Sequence, residues 1–316
     1  MYVLVCTEFY TETDDTMILI SPDRRTYRGN LHMHTTRSDG HLTPGEAMAR
    51  YREMGYDFVA ITDHRTLTVP EKKDIPEGLL WIPGIELDWP LEGQVVHIVG
   101  LNVTDRAEKE FDRRTGVQGG IDLIRSCGGL AELAHPAWSL NTTELICSLS
   151  GIFATEIWNS ASTVPMNAMR ADSSAVLDPV FTRGMLWPVL SVDDTHEYKA
   201  ECGVGATMVQ ADVLDAHGIL QGICEGHSYA TTGPEIHLLE AGGGEVHVRC
   251  SSDAALSWVV FYSNLPYTHG RAVPMEGKTE AVWKLHEGET FIRVQAADAR
   301  GRSAWSNPIS REIILG

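Results

Sequence analysis

Between about residues 28 and 232, short apolar runs alternate with helix signals. The runs are Asp57–Thr62, Leu79–Glu86, Val95–Leu101, Leu130–Ala134, Phe153–Trp158 and Met185–Val192. Several are nearly continuous in Val, Ile and Leu, the texture of strands covered on both faces. Between them, Thr43-Pro44-Gly45-Glu46 reads as a capping box with proline at the first helical position, opening a helix through Ala47–Tyr56. A shorter helical pattern at Ile121–Ser126 stops at Gly128-Gly129. Repeated strand–helix units predict an α/β fold with a parallel sheet or barrel.

After Gly233-Pro234 the pattern changes. EVHVRCSS, SWVVFYSN and TFIRVQAADA partly alternate and are separated by Gly, Pro and Asn turns, with no long helical period. Residues 234–316 are therefore expected to form a small antiparallel β-sandwich following a first unit of residues 1–233. Residues 1–27 are expected to add one or two extra strands to that unit.

Composition narrows the picture. At 43% hydrophobic and 22% charged residues the chain is ordinary for a globular protein. Its longest apolar stretches, such as Val95–Val103, are too short to span a bilayer, so no membrane partner is expected. The N-terminus lacks a basic region ahead of an apolar one, which favours a cytoplasmic location. The six cysteines form no C-x-x-C pair and read as isolated thiols. A formal charge of −18 with no basic run argues against a nucleic-acid polymer and for a small substrate. That substrate can still be anionic, because bound metals reverse the local potential.

The candidate chemistry lies in the histidines and carboxylates. In Asn30-Leu31-His32-Met33-His34, the two histidines are two residues apart, so in an extended strand both face one side and can clamp a metal. Asp39 follows in a loop, and Thr62-Asp63-His64 and Gly84-Ile85-Glu86 each close an apolar run. His97 lies within another, His135-Pro136 follows Leu130–Ala134, and Asp193-Asp194-Thr195-His196 follows Met185–Val192. Clusters at strand C-terminal ends are where βα barrels gather their active residues. Imidazole with carboxylate suits zinc, manganese or iron better than magnesium or calcium. Two or three such ions would activate water and need no serine or cysteine nucleophile. The absence of a G-x-S-x-G elbow agrees with this.

The motifs HMHTTRSDG, ITDH, GIE, VHIVG, AHP and SVDDTH, in this order, resemble the PHP (polymerase and histidinol phosphatase) superfamily of metal-dependent phosphoesterases. The resemblance covers roughly residues 28–200 and implies a distorted (β/α)7 barrel with a trinuclear metal site. Carried over, it implies one metal on His32, His34, Glu86 and Asp194. A second would take bridging Glu86 with His97 and His135, and a third Asp39, His64 and His196. His41 is a rival for the Asp39 position, and Asp63 and Asp193 would orient ligands. The segments GICEGHSYATTGPEI and FIRVQAADARGRSAWSNPI look like a branch named for carbaryl hydrolases, in which a β-sandwich follows the barrel.

No protein side chain is assigned as the reacting group; Asp63 and His41 are the candidates beside the metal water. Arg65, Arg170 and Arg183 are candidates to meet phosphate, Trp138 to touch substrate, and Glu156 and Asn159 to line the pocket or support its ligands. The leading expectation is a phosphoesterase acting on a small phosphorylated metabolite, monoester or diester. The alternative keeps the site but cleaves a carbamate, ester or amide. Arginines in the pocket would favour the first, and an apolar, tryptophan-lined pocket the second.

Overall fold

The structure is a computed structural model that describes residues 16–316. Cys6 and the expected extra strand material before residue 16 lie outside the described residues. The first part holds β1 (Thr16–Ile20), β2 (Thr26–Asn30), β3 (Phe58–Ile61), β4 (Leu80–Leu91), β5 (Gln94–Leu101), β6 (Leu130–Leu133), β7 (Ile152–Asn159), β8 (Val189–Val192), β9 (Ala206–Gln210) and β10 (Ser228–Thr231). Its helices are α1 (Pro44–Glu53), α2 (Arg106–Lys109), α3 (Gly116–Ser126), α4 (Thr143–Ser148), α5 (Ser174–Thr182) and α6 (Ala216–Cys224).

The capping box forms as the sequence implies. Thr43 accepts from the Glu46 amide while the Glu46 carboxylate accepts from the Thr43 amide, and Pro44 opens α1. Helix α3 starts five residues before the apolar pattern, at Gly116. Strands β2, β3 and β4 pair in parallel, as do β6, β7 and β8. Between these groups β4 and β5 make a long antiparallel hairpin turning at Gly93, where φ is 74°, and β5 also runs antiparallel to β6. The sheet is thus parallel-rich and mixed.

Strand pairing does not close the ring. β8 ends the sheet, while β2 continues through β9 and β10. The seam is bridged otherwise. The Ser191 amide donates to Thr207 Oγ1 at 3.1 Å, and Ser191 Oγ donates to the Thr231 carbonyl at 3.0 Å. Beyond the strands, the Asp194 amide donates to the His32 carbonyl at 2.9 Å and the His34 amide to the Thr195 carbonyl at 3.0 Å.

The C-terminal part holds β11 (Glu235–Gly242), β12 (Glu245–Ser251), β13 (Leu256–Tyr262), β14 (Ala272–Pro274), β15 (Glu280–Lys284), β16 (Phe291–Asp298), β17 (Ser303–Ser306), β18 (Ile309–Ser310) and α7 (Arg311–Leu315). One sheet has the order β1-β11-β12-β15, so the first described strand belongs with the C-terminal sandwich. The other, β14-β13-β16-β17, continues through the β17–β10 pair into the large sheet. A core of Ile236, Val248, Phe261, Trp283 and Val294 fills the space between them. Among the described residues no helix is long and apolar enough to cross a membrane. Four cysteines are free thiols, but Cys224 is disulfide-bonded, which departs from the expectation of isolated thiols.

Candidate metal centre

His32 and His34 extend β2 past its last paired residue, and both are fully buried. Their intervening neighbour Met33 packs with Val59 and Ile61 in a separate core, so the alternation of an extended chain sends both imidazoles to one side. His64 follows β3, His135 follows β6, and Asp194 and His196 follow β8. Glu86 differs from expectation, since it lies inside the β4–β5 hairpin rather than at a strand end. His97 lies in the same hairpin, within its run as expected. The register places His97 opposite Asp88 and Glu86 opposite Val99, so Glu86 and His97 are diagonal neighbours across the hairpin.

Glu86 is the hub. Its Oε1 lies 2.7 Å from His97 Nδ1 and 3.4 Å from both His32 Nε2 and His135 Nε2. Its Oε2 lies 2.9 Å from His64 Nδ1 and 3.2 Å from His34 Nε2. Asp194 Oδ1 lies 3.0 Å from His34 Nε2 and 3.3 Å from His32 Nε2. Half-exposed Asp39 stands at 3.6 Å from His34, His64 and His196. Four overlapping groups have donor atoms close enough to share an ion: His34, Asp39, His64 and His196; His32, Glu86 and His135; His32, His34 and Asp194; His64, Glu86 and His97. All nine residues singled out in the sequence converge here. Their grouping differs from the one the resemblance implies, because His32, His34 and His64, as well as Glu86, each fall in two groups, His34 approaching Asp194 through Nε2 and Asp39 through Nδ1.

These donors fit divalent metal. Glu86 Oε2, Asp194 Oδ1 and His64 Nδ1 are buried and make no hydrogen bond, although Glu86 and His64 approach to 2.9 Å. Leaving buried carboxylate oxygens unpaired is costly. The geometry is that of groups aimed at a common point rather than at each other. Burial alone would lower the His34 imidazole, but the close carboxylates of Asp194 and Glu86 outweigh it and hold its pKa up at about 9. Burial likewise opposes, and the charges of Asp194 and Glu86 override it, in raising His32. Glu86 goes the other way, with His32 and His97 overcoming burial to hold it well below the usual carboxylate range.

A surrounding layer fixes the ligands. Glu156 Oε1 takes His32 Nδ1 at 2.6 Å, leaving Nε2 for the centre, while its Oε2 accepts from the His135 amide and Asn159 Nδ2 at 2.8 Å. Asn159 Nδ2 also donates to Asp194 Oδ2 at 3.1 Å. Ser139 Oγ meets His135 Nδ1 at 2.8 Å, and the Asp194 carbonyl meets His196 Nδ1 at 2.8 Å. Such partners set tautomer and ring orientation. His135 and Asp194 hold φ of 30° and 50°, unusual for residues with a Cβ and a strain common at functional sites.

Other candidates fall differently. Asp63 accepts from the Thr35 amide and from the hydroxyls of Thr35, Ser38 and Thr68, so it shapes the Asp39 loop. Asp193 accepts from Tyr51 and the amides of Gly203, Val204 and Gly205, a structural role. His41 is exposed beside Glu197, outside the donor groups. A pocket of about 500 Å³ opens over the centre, lined by its ligands with Trp138, Ser162, Val164, Met166, Asn167, Glu197 and Glu201 among others. None of Arg65, Arg170 and Arg183 lines it. Arg65 turns to Asp88 at 3.5 Å, Arg183 to Glu144 at 2.9 Å, and Arg170 is exposed. The lining from Ser162 to Asn167 and Glu197 to Glu201 carried no sequence signal, because it comes from irregular chain. Ser139, four residues past His135, was not singled out in the sequence.

No family model matches the chain. The 5'-3' exoribonuclease Rnm of Escherichia coli (strain K12) is 43% identical over 79 residues, covering 23% of this chain and 27% of that protein. The 5'-3' exoribonuclease of Haemophilus influenzae is 38% identical over 80 residues, covering 24% and 29%. The matched stretch therefore spans little more than a quarter of these curated relatives. They overturn the expectation that excluded nucleic-acid polymers. Net charge does not by itself exclude such a substrate, since bound metal ions can reverse the local potential. A solved two-domain protein containing a predicted PHP-like metal-dependent phosphoesterase, from Bacteroides vulgatus, shares the fold at a TM-score of 0.53 and 14% identity, covering 92% of this chain and 95% of that one. The likeness to a carbaryl-hydrolase branch has no counterpart among these matches. This chain has the fold of a PHP-like metal-dependent phosphoesterase, with a cluster of His, Asp and Glu that fits a metal site.

Proposed function

We propose that this chain is a metal-dependent phosphoesterase whose metals are held by His32, His34, Asp39, His64, Glu86, His97, His135, Asp194 and His196. The observation that carries this reading is the convergence of nine donors around Glu86 and Asp194, each of which keeps one buried oxygen (Glu86 Oε2, Asp194 Oδ1) without a hydrogen bond among the described residues. Divalent zinc, manganese or iron suits the mixed donors and would supply Lewis acidity and a water of lowered pKa. The chain's own residues orient the donors: Glu156 holds His32, Ser139 holds His135, and Asn159 ties Glu156 to Asp194. With no lysine or arginine in the pocket lining, binding of a phosphoryl group depends on the metals.

The substrate class is a phosphate ester that reaches the pocket by one end, either a small phosphorylated metabolite or the end of an oligonucleotide. The printed activity of the sequence relatives, 5'-3' exoribonuclease, supports the second. A carbonyl reading, with a carbamate or ester substrate, is favoured by one observation, the arginine-free pocket with Trp138 in its wall.

The test is turnover of phosphate monoesters, diesters, 5'-phosphorylated oligoribonucleotides, carboxylic esters and carbamates by protein loaded with manganese, zinc or iron. His34→Ala serves as the control. Phosphate-ester turnover that falls at least ~100-fold in His34→Ala, together with its metal content, supports the proposal. Turnover confined to carbamates or carboxylic esters would replace it with the carbonyl reading.

A further inference from the structure

The pocket over the metal centre is larger than a phosphoryl group needs, and its two ends differ in chemistry. The floor is imidazole and carboxylate. One side of the mouth is Trp138, whose ring stands edge-on to His135 at 5.0 Å and to His97 at 5.9 Å between centroids. Its indole N–H has no partner among the described residues. A lip formed by the chain from Ser160 to Met169 also lines the pocket. Two short turns, Ser160–Thr163 and Pro165–Asn167, are followed by Ala168 and Met169, both at a φ of 56°.

This lip is built rather than loose. Asn159 Oδ1 accepts from the Ser162 amide at 3.1 Å and from Ser162 Oγ at 3.0 Å, and Asn167 Nδ2 donates to the Ala161 carbonyl at 2.8 Å. Because the other end of the Asn159 amide binds Asp194, the lip and the metal site share one support. At its tip Met166 is 94% exposed, and both it and Val164 line the pocket. A methionine so exposed, at the edge of a pocket, is the kind of apolar surface that a ligand covers.

Charge decides what the mouth accepts. Its remaining lining carries exposed Asp39 and Glu197 and buried Glu201, and no lysine or arginine lines the pocket. A second anionic group there would meet carboxylates on one side and apolar side chains on the other. A planar uncharged ring would instead stack on an indole and a thioether, contacts that favour aromatic groups.

We propose that Trp138, Val164 and Met166 form a subsite for a flat, uncharged aromatic ring carried by the substrate, such as a nucleobase or an aryl group. The inference rests on the phosphoesterase reading for the position of the reacting end. It makes the substrate a ring-bearing phosphate ester, and places ring recognition on the lip rather than on the metals.

The first experiment measures kcat/KM for phenyl phosphate, adenosine 5'-monophosphate and methyl phosphate in the metal-loaded wild type, Met166→Ser, Trp138→Ala and Trp138→Phe. Stacking of one ring supports a change of about tenfold. The ratio of ring-bearing to methyl substrate should fall about tenfold in Met166→Ser and Trp138→Ala, and recover in Trp138→Phe. A loss confined to phenyl phosphate or to the nucleotide would tell which ring the subsite takes. An unchanged ratio overturns the subsite even where phosphate turnover is robust. The second experiment titrates adenosine and phenol, which carry no phosphate, into the same proteins by calorimetry. Binding that weakens in Met166→Ser upholds the subsite even if no phosphate ester is turned over, which would count only against the hydrolase reading. Absence of ring binding in the wild type, with unchanged ratios in the variants, removes the proposal.

Discussion

At the scale of single residues, position within a hydrogen-bonded network separates candidates that look alike in sequence. Glu86 and Glu156 are both buried carboxylates on strands, yet Glu86 leaves Oε2 unpaired toward the centre while Glu156 has both oxygens occupied by His32, His135 and Asn159. Glu156→Gln keeps the shape but weakens the hold on His32 Nδ1. Metal affinity or activity should fall about 10- to 100-fold, measured by competition with a chelator, with little change in fold. Unaltered affinity would remove Glu156 from the support of the site. Protonation gives a second prediction. His34 is raised to about 9, and His32 and His135 are raised as well, so in metal-free protein their contribution to stability is complete below the usual histidine value of 6.5. The His34 part is lost as pH climbs through about 9, and the His32 and His135 parts are lost as pH rises above the usual histidine range. Glu86 and Asp194 are depressed, so their contribution is present at all pH values above the ordinary carboxylate range and is lost only in stronger acid. Metal-stripped protein should therefore lose up to ~3 kcal/mol between pH 6.5 and 9 from His34 alone, read from its melting temperature. Metal binding strengthens over the same range, because protons must leave the ligands. A stripped protein equally stable at both pH values would contradict this.

At the scale of elements, close approach rather than propensity sets where the ligands stand. A Cβ at Gly40 would lie 2.2 Å from the His34 carbonyl oxygen and 2.7 Å from the Thr35 amide, both backbone atoms. The Asp39 loop can fold back against the end of β2 only because that side chain is missing. Gly84 has the same function between β3 and β4, with the Ile61 carbonyl 2.9 Å from where its Cβ would be. Gly40→Ala should push Asp39 outward and cost more than the ~1–3 kcal/mol typical of overpacking, since backbone must move. Reduced metal stoichiometry alongside a lower melting temperature is the expected result. A variant with full metal content and unchanged melting would show that the loop can yield. Five of the six motifs were legible because each lies on or just beyond an apolar run, while HMHTTRSDG, which follows the polar β2, was legible from the spacing of His32 and His34. The antiparallel course of β5 was not, because Gln94–Leu101 is as apolar as its parallel neighbours and only pairing with β4 and β6 reveals its direction.

At the scale of the whole molecule, the two parts share more than a linker. β10 pairs with β17, Arg293 on β16 reaches Asp178 on α5 at 2.8 Å, and Asn307 accepts from the Val189 amide on β8 at 2.9 Å. Trp305 stacks on Trp158, one residue before Asn159, with ring centroids 5.8 Å apart. Arg293 is fully buried, so loss of Asp178 would strand a charge. A chain ending at residue 233 is expected to lack a cooperative thermal transition and to bind metal poorly, whereas the full chain should melt in one transition. A truncated chain that melts cooperatively with its metal content intact would show that the first part is independent. The chain change at Gly233-Pro234 marks a real shift in texture, but β1 sits with β11 across it, so that texture does not fix which strands pack together.

The sequence by itself determined the local matters: the alternation that puts His32 and His34 on one side, the capping box of α1, the strand-end placement of most ligands, and the donor chemistry that suits divalent metal. These depend on neighbours in the chain, and neighbours are written in order. Tertiary structure alone decided that His34 faces two donor groups, that Glu156 and Asn159 serve the ligands, and that Arg65, Arg170 and Arg183 stay out of the pocket. It also brought Met166 and Trp138 into the lining of one pocket. Each of these depends on contacts between segments far apart in the chain, where distance and direction are set by packing and leave no period for the sequence to display.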